Sequence, residues 1–249
     1  MAASLLRTRY GQTATSALAD VVRDAKAGNP LTPVTVVVTD HSHGLMLRRR
    51  LAARAGGLSA VDFVTLLDLA RHLSTGSPLL TGRRPVSDAV VLAATRRLLA
   101  DRPGAFGSVA EHPSVERAIV SAHRNLCEVH PEALDRLAGL GSPLADLVEL
   151  HRSLSERLHP SFHDERERAD IAAARIADRS VTAPTVVLHL PGDLVASERR
   201  LVGALAAAGD LTAIVGDADG PDGSVHADPH MAVLAEVLDV EVPVAGPGI

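Results

Sequence analysis

The sequence predicts an α/β fold in which a parallel β-sheet is interrupted by an all-helical insertion. Short β-branched runs that are apolar at nearly every position occur near both ends of the chain, and such runs are typical of strands buried on both faces. These runs alternate with segments of helical periodicity, a pattern that favours parallel strands. Between the two regions the strand signals vanish and helical patterns repeat. We therefore expect a sheet lobe formed by residues 1–73 and 181–249, with a helical insertion at residues 74–180.

The first part of the sheet lobe contains two predicted strands, "VTVVVT" at residues 34–39 and "AVDFVTL" at residues 60–66. A helix is predicted before the first strand, at residues 15–26, and another after it, at residues 44–54. Gly56 ends the second of these helices, because glycine is favoured just past a helix C-terminus. A third helix, "LLDLARHL", follows the second strand.

Four helices are predicted in the insertion. Ser87 and Ser114 are typical residues for the start of a helix, and Ser142 with Pro143 forms a cap and first-turn pair. A fourth, strongly charged helix is expected over residues 164–178.

The apolar faces of these helices include His123, Cys127 and His151. We interpret the two histidines as hydrogen-bonded core residues and the cysteine as an inert, buried thiol. Because Cys127 is the single cysteine, an internal disulfide is excluded and a reducing compartment is expected.

Strand signals return in the last third of the chain. Strands are predicted at residues 185–190 and 211–218, with a helix between them at residues 197–208. A weaker helix follows at residues 231–238, and the closing "VPVAGPGI" resembles a strand and a loop.

Composition narrows the function classes. The net charge is −5, from 25 basic and 30 acidic residues, whereas a free-standing nucleic-acid-binding protein usually has a basic excess. Aromatic residues make up only 2%, which argues against a stacking platform for single-stranded nucleic acid. There is neither a secretory leader nor an apolar run of membrane-spanning length, so we expect a cytoplasmic protein without membrane contact.

The stretch "YGQTATSALADVV" has the outline of a phosphate-binding loop that leads into a helix. Gly11, Thr13 and Thr15 lie where such a loop holds its glycine and hydroxyl groups. A functional loop also needs a lysine for the β- and γ-phosphates, and the first lysine of the chain is Lys26. We therefore expect an inactive nucleotide loop and no cofactor; weak anion binding at the helix N-terminus is the alternative.

Several stretches, in order, resemble the first lobe of UvrD-type superfamily-one DNA helicases, which has a P-loop NTPase (RecA-like) fold. "VVVTDHSHGLMLRRRLAAR" is similar to the second motif of that family, and "VDFVTLLDLARHL" to the segment that follows it. "TVVLHLPGDLVASERRLVGALAAAGDLTAIVGDADG" is similar to the stretch that carries the acidic magnesium motif, a helix, "VGD" and a catalytic glutamine.

The departures from that family concern the ATPase residues. "HLPGD" stands where the Asp–Glu pair is expected, which leaves Asp193, Glu198 and Asp217 as remnant acidic positions. Gly220 stands in place of the glutamine. These groups position magnesium and water and sense the γ-phosphate, so their joint loss predicts a lobe without ATP turnover.

This loss of ATPase residues within a retained order of motifs is most similar to the pattern in the B subunits of AddAB/RexAB-type helicase–nucleases and in actinobacterial PD-(D/E)XK nuclease family proteins. The resemblance implies a non-catalytic, helicase-like scaffold lobe in DNA repair and recombination, which contributes to the DNA path and contacts a partner subunit or missing carboxyl-terminal domains. It also implies that the chain is a fragment, without the nuclease. ATP and magnesium are expected in intact relatives and not here.

In this interpretation Thr39, His41 and Ser42 lie beside the DNA path. The basic cluster of the next helix is expected to contact phosphates, which dominate nucleic-acid affinity. A solvated or partner-facing helix surface is the alternative. The cluster consists of Arg48, Arg49, Arg50 and Arg54.

Two other functions remain open from the sequence. His41 and His43 form a His-x-His pair after a predicted buried strand, as in metal-dependent hydrolases, where imidazole suits zinc. Further ligands would come from His189, Asp193 and Asp217. The other alternative is an interaction module that binds no ligand.

Overall fold

The computed structural model describes residues 3–219, 225–227 and 230–242. The chain divides into two compact units: a sheet unit, formed by residues 1–75 and 169–249, and a helical unit, formed by residues 76–168. The sequence analysis placed residues 169–180 in the helical insertion, whereas the structure assigns them to the sheet unit. The reason is packing, because Ala169, Ala172 and Ile176 are buried in the core of the sheet unit.

The helices and strands are numbered here in chain order. They are β1 (Ser4–Arg9), α1 (Gln12–Ala25), β2 (Val34–Val37), α2 (His41–Ala55), β3 (Val61–Val64), α3 (Leu66–Ser74), β4 (Arg84–Pro85), α4 (Asp88–Asp101), α5 (Pro113–Cys127), α6 (Pro131–Ala138), α7 (Leu144–Leu158), β5 (Phe162–His163), α8 (Glu165–Ala177), β6 (Val186–His189), α9 (Ala196–Ala208), β7 (Leu211–Asp219), β8 (Val225–Ala227) and α10 (Met231–Leu238).

Five strands of the sheet unit are parallel, in the order β1-β7-β6-β2-β3, and β8 adds to β7 in the antiparallel direction. The prediction of a parallel α/β sheet is therefore confirmed. Strand β1 was not predicted, because its sequence "SLLRTR" mixes polar and apolar residues. It lies at the edge of the sheet, where such a mixture is tolerated, and its Leu6 pairs with Ile214 of β7.

Two hydrophobic cores cover the two faces of this sheet. Successive residues of a strand point to opposite faces, so that Val186 and Leu188 enter one core and Val187 enters the other. Helices α3, α8, α9 and α10 supply the first core, and helices α1 and α2 the second. Each fully buried leucine or valine contributes about 1.5 to 3 kcal/mol relative to an exposed one.

Helix α2 begins three residues earlier than the sequence pattern indicated, at His41 instead of Gly44. Asp40 caps it, since its Oδ1 accepts a hydrogen bond of 2.8 Å from the His43 amide. Gly44 faces the sheet: a Cβ at this position would lie 3.2 Å from both Phe63 Cβ and Val38 Cγ2. The close approach of α2 to the sheet therefore depends on glycine, which has no side chain, at position 44.

The helical unit consists mainly of α4, α5, α6 and α7. Six of its buried hydrophobic side chains form two small clusters, and Val91, Val120 and Leu154 are buried outside them. A short parallel pairing of β4 with β5 was not predicted, since two-residue strands carry no hydrophobic pattern. The first cluster contains Leu99, Ile119 and Leu150, and the second contains Leu126, Leu134 and Val148.

None of the helices in the described ranges is both long and apolar enough to cross a membrane. A strand and a loop were expected at the end of the chain, but residues 243–249 lie outside the described residues. Gly220 also lies outside them.

Candidate functional site

The carboxyl edge of the parallel sheet is the candidate site, because ligands of open α/β sheets bind where the parallel strands end. Tyr10 and Gly11 follow β1, and His189 is the last residue of β6. Asp217 lies late in β7, and Thr39 follows β2. Strands β1, β7, β6 and β2 are successive neighbours in the parallel sheet, so the segments that follow them all lie at the same edge.

The connection between β1 and α1 is only two residues long, Tyr10 and Gly11. Gly11 has φ 84° and ψ −126°, a conformation that favours glycine. A phosphate-binding loop needs a longer glycine-rich segment, whose amides surround the phosphates. The space is also occupied, because a Cβ on Gly216 would lie 2.4 Å from the Tyr10 ring. This turn is thus too short and too closed to surround a nucleotide's phosphates.

The hydroxyl groups of the turn are used within helix α1. Thr15 is buried, and its Oγ1 donates a 3.0 Å hydrogen bond to the Gly11 carbonyl. Ser16 Oγ likewise donates to the Gln12 carbonyl at 2.9 Å. Thr13 is exposed. The Thr15 hydroxyl, which lies where a phosphate-binding loop holds a hydroxyl group, is therefore directed back to the helix backbone.

Lys26 lies at the far end of α1 and has a structural role there. Its Nζ donates hydrogen bonds to the carbonyls of Pro30, Thr32 and Ala60, at 3.1 Å for Pro30 and 3.2 Å for Ala60. The first lysine of the sequence cannot serve phosphates at the opposite edge of the sheet.

The remnant acidic residues do not converge on a common point. Asp193 is exposed and lies 2.7 Å from His230 Nδ1, whereas Glu198 accepts a 3.0 Å hydrogen bond from the Val195 amide at the start of α9. Asp217 is buried and accepts from Arg7 Nε at 2.9 and 2.7 Å. Each carboxylate thus has its own structural partner, and the set does not form a magnesium site.

His189 stands at the end of β6, although the sequence analysis placed it within the strand. Its ring is 1% exposed, and neither nitrogen has a hydrogen-bond partner among the residues that the structure describes. The His43 ring lies 5.3 Å away between centroids, at an angle of 61°. Burial lowers the pKa of His189 to about 4, and His43 makes a smaller contribution in the same direction. The nearby Ala14 peptide group acts in the opposite direction, although it does not form a hydrogen bond with the ring.

The His-x-His pair lies in the first turn of α2 rather than in a loop, and its two rings have different neighbours. His41 Nε2 is 3.4 Å from Asp68 Oδ2, while His43 Nδ1 is 3.3 Å from Thr39 Oγ1. Ser42 is exposed between them. His41, His43 and His189 do not meet the geometry of a three-ligand metal group, and the one such group in the described residues lies in the helical unit. The ligand set of a metal-dependent hydrolase is therefore not brought together at this edge.

The outer surface of α2 is basic. Arg48, Arg49 and Arg50 are exposed and make neither hydrogen bonds nor ion pairs to the residues that the structure describes. Leu45 and Met46 on the same helix are 51% and 38% exposed. This surface, formed by Leu45, Met46, Arg48, Arg49 and Arg50, is called the α2 basic face below.

A cavity of about 730 Å³ adjoins the α2 basic face within the sheet unit. Arg48, His41 and His72 contribute its nitrogen-bearing side chains, and Asp62 and Asp68 contribute its carboxylates. Thr65 donates a hydrogen bond to Asp68 and is the main cause that lowers the pKa of this carboxyl. Arg48 forms no ion pair with either carboxylate, so its guanidinium remains available to an anion.

The comparisons with known proteins leave the chain without an assigned family. No protein-family model matches it, and no curated protein matches it significantly.

Proposed function

We propose that this chain is a non-catalytic, helicase-like lobe with a degenerate P-loop NTPase (RecA-like) fold, part of a DNA repair and recombination helicase–nuclease. Its role is to contribute to the DNA path and to contact the partner subunit or further domains. The observation that carries the proposal is the α2 basic face, in which Arg48, Arg49 and Arg50 are exposed on the helix that begins at the carboxyl edge of a parallel sheet.

The proposed lack of ATP turnover is supported by the contacts of the residues that would have to bind ATP and magnesium. Tyr10 closes the turn after β1, Lys26 is held by backbone carbonyls, and Asp217 is paired with Arg7. ATP hydrolysis relies on positioning and charge stabilisation by such a loop, lysine and carboxylate. At this edge the segments that resemble ATPase motifs lie together, but the groups needed for ATP hydrolysis are engaged elsewhere. Such an edge fits a scaffold lobe better than a motor lobe.

The arginines of the α2 basic face suit phosphate contacts, because guanidinium groups pair with phosphate oxygens in a bidentate manner. The net charge of −5 opposes association with DNA, so binding by this chain alone should be weak and strongly dependent on salt. Leu45 and Met46 give the same surface an apolar component, which fits contact with a protein partner next to the DNA.

The test is binding of a labelled forked DNA, measured by fluorescence anisotropy from low to physiological salt. The variant carries Arg48→Ala, Arg49→Ala and Arg50→Ala. A control with the same charge change carries Arg97→Ala, Arg117→Ala and Arg157→Ala, all exposed in the helical unit. We expect the α2 variant to lose about tenfold or more in affinity, and its slope of log K against log salt to fall by about 2 to 3 units, since each phosphate contact contributes about 0.7 to 0.9.

Two results would contradict this proposal. Equal losses in the two triple variants would mean that net charge, and not the α2 basic face, governs binding. Failure of the wild-type chain to bind forked DNA at low salt would favour the ligand-free interaction module. The metal-dependent hydrolase receives no comparable support, because His41 and His43 have different partners.

A further inference from the structure

Three side chains that bind transition metals meet in the helical unit. His123 and Cys127 lie four residues apart on α5 and therefore on one face of that helix. His151 of α7 completes the group: its Nδ1 is 3.0 Å from His123 Nδ1, and Cys127 Sγ is 3.9 Å from His123 Nε2. One ligand atom from each residue lies within 4.8 Å of the other two.

The two histidines of this cluster are buried, and each is 7% exposed. They are hydrogen-bonded to each other, which agrees with their interpretation as hydrogen-bonded core residues. A buried pair of imidazoles beside a thiol is also a set of donors that suits a transition metal.

An oxygen ligand is also close. Burial raises the pKa of the Cys127 thiol to about 12, and the nearby Asp164 carboxyl group acts in the same direction. Asp164 is held in place by the start of α8, since its Oδ1 accepts a 2.7 Å hydrogen bond from the Glu167 amide. The cluster therefore offers two nitrogens and a sulfur, with a carboxylate beside the sulfur.

We propose that His123, Cys127 and His151 bind one Zn²⁺ ion, with Asp164 or a water molecule at the fourth position. Zinc–nitrogen bonds of about 2.0 to 2.1 Å and zinc–sulfur bonds of about 2.3 Å in a tetrahedron separate the ligand atoms by about 3.3 to 3.6 Å. One ligand atom from each of the three residues lies within 4.8 Å of the other two. To form the site, these atoms would therefore have to approach one another by at most about 1.5 Å, which side-chain rotations can supply.

The donor set selects the metal. Imidazole and thiolate suit zinc, whereas magnesium and calcium require oxygen ligands. On binding, the Cys127 sulfur forms the bond to zinc and releases its proton to solvent, one proton for each ion. No oxidation or reduction takes part.

The role assigned to this ion is structural. The ligands join α5 to α7, and Asp164 adds the start of α8. The two hydrophobic clusters of the helical unit contain three buried residues each, so the unit has a limited apolar core. Small cores gain most from a metal ion, because the free energy of binding adds directly to the free energy of folding.

The test uses the complete chain, freed of metal with a chelator, then reloaded with Zn²⁺ or Co²⁺ and desalted. Metal content is measured by mass spectrometry of the elements, and the cobalt form by its absorption spectrum. Cys127→Ser and His151→Gln remove one ligand each. His159→Gln is the control, since His159 is exposed and directly follows α7.

We expect one zinc per chain in the wild type and in His159→Gln, and at least about tenfold weaker binding in both ligand variants. The cobalt form should show the intense visible bands of tetrahedral coordination, with a thiolate charge-transfer band that Cys127→Ser abolishes. Zinc, but not magnesium, should raise the melting temperature of the wild type, and chelator should reverse this rise.

The zinc content and cobalt spectrum of the wild type test the site even where a ligand variant fails to fold. Less than a stoichiometric amount of zinc in the wild type, or a cobalt spectrum without the thiolate band, would overturn it. Unchanged zinc affinity in folded Cys127→Ser and His151→Gln would do so as well, and would leave the cluster as a metal-free histidine pair.

Discussion

The guanidinium Nε of Arg7 lies 2.9 and 2.7 Å from the two carboxylate oxygens of Asp217. This ion pair joins the neighbouring strands β1 and β7, and the two side chains are only 15% and 8% exposed. An acidic residue of the stretch that resembles the helicase motifs is thus neutralised by an arginine of the edge strand.

Replacement of Arg7 should destabilise the sheet unit, because it leaves the Asp217 carboxylate buried without its cation. For Arg7→Met we expect a loss of about 3 kcal/mol in the free energy of unfolding, measured by urea denaturation. The double variant Arg7→Met with Asp217→Leu should recover at least about half of that loss. Asp20→Ala is the control, since it breaks the exposed pair with Arg23 and should cost less than about 1 kcal/mol. Equal effects of Arg7→Met and Asp20→Ala would refute the structural role of the ion pair.

Millimolar Mg-ATP should leave the melting temperature unchanged, because the turn at Tyr10 and Gly11 is closed and Lys26 is engaged elsewhere. A ligand present at a hundred times its Kd adds about 2.7 kcal/mol of stability. In a chain of this size such a gain raises the melting temperature by about 5 °C or more. A rise of that size over magnesium chloride alone would contradict the degenerate nucleotide site.

His189 should make the protein less stable in mild acid. Its pKa is about 4 in the folded chain, against 6.5 as the ordinary value, so the unfolded chain binds the proton first as the pH falls. The stabilisation is therefore complete above pH about 6.5 and is lost towards pH about 4, a loss of about 2 to 3 kcal/mol.

His189→Leu should flatten this pH dependence relative to the wild type and should not lower stability at pH about 7, because the replaced nitrogens have no hydrogen-bond partner. His151, whose pKa is also lowered to about 4, keeps part of the slope in both proteins. The measurement is urea denaturation at a series of pH values. Parallel curves for the two proteins would show that His189 does not titrate in this way.

Gly44→Val should destabilise the protein by about 1 to 3 kcal/mol, because the added side chain collides with Val38 and Phe63 where α2 lies on the sheet. Ala53→Val is the matched control, since Ala53 is exposed on the same helix and the substitution costs only about 0.5 kcal/mol of helix propensity. Thermal and urea unfolding compare the two variants. Equal stability would mean that α2 can move away from the sheet at little cost.

The strongly apolar strands β2, β6 and β7 could be predicted from the sequence, because burial on both faces leaves a nearly continuous apolar run rich in β-branched residues. Strand β3 lies at an edge and exposes Asp62, but its remaining residues are apolar and it was predicted as well. Strand β1 could not be predicted, since an edge strand retains residues such as Arg7 and Thr8. The start of α2 had a usable signal in Asp40, a favoured helix cap, and the sequence analysis did not use it.

The candidate sites depend more on tertiary packing than the fold does. The spacing of His123 and Cys127 on one helix is visible in the sequence, but His151 joins them only through the packing of α5 against α7. The contact of His43 with His189 likewise needs the parallel order of β2 and β6. No local pattern encodes either pairing.

Tyr10, whose ring covers Gly216, is the single tyrosine of a chain that has no tryptophan. The intrinsic fluorescence of the protein therefore originates from one ring at the carboxyl edge of the sheet. The emission of this ring, its quenching by iodide and its anisotropy all report on that edge without an attached label. The helical unit, which contains neither tyrosine nor tryptophan, contributes no background to the signal.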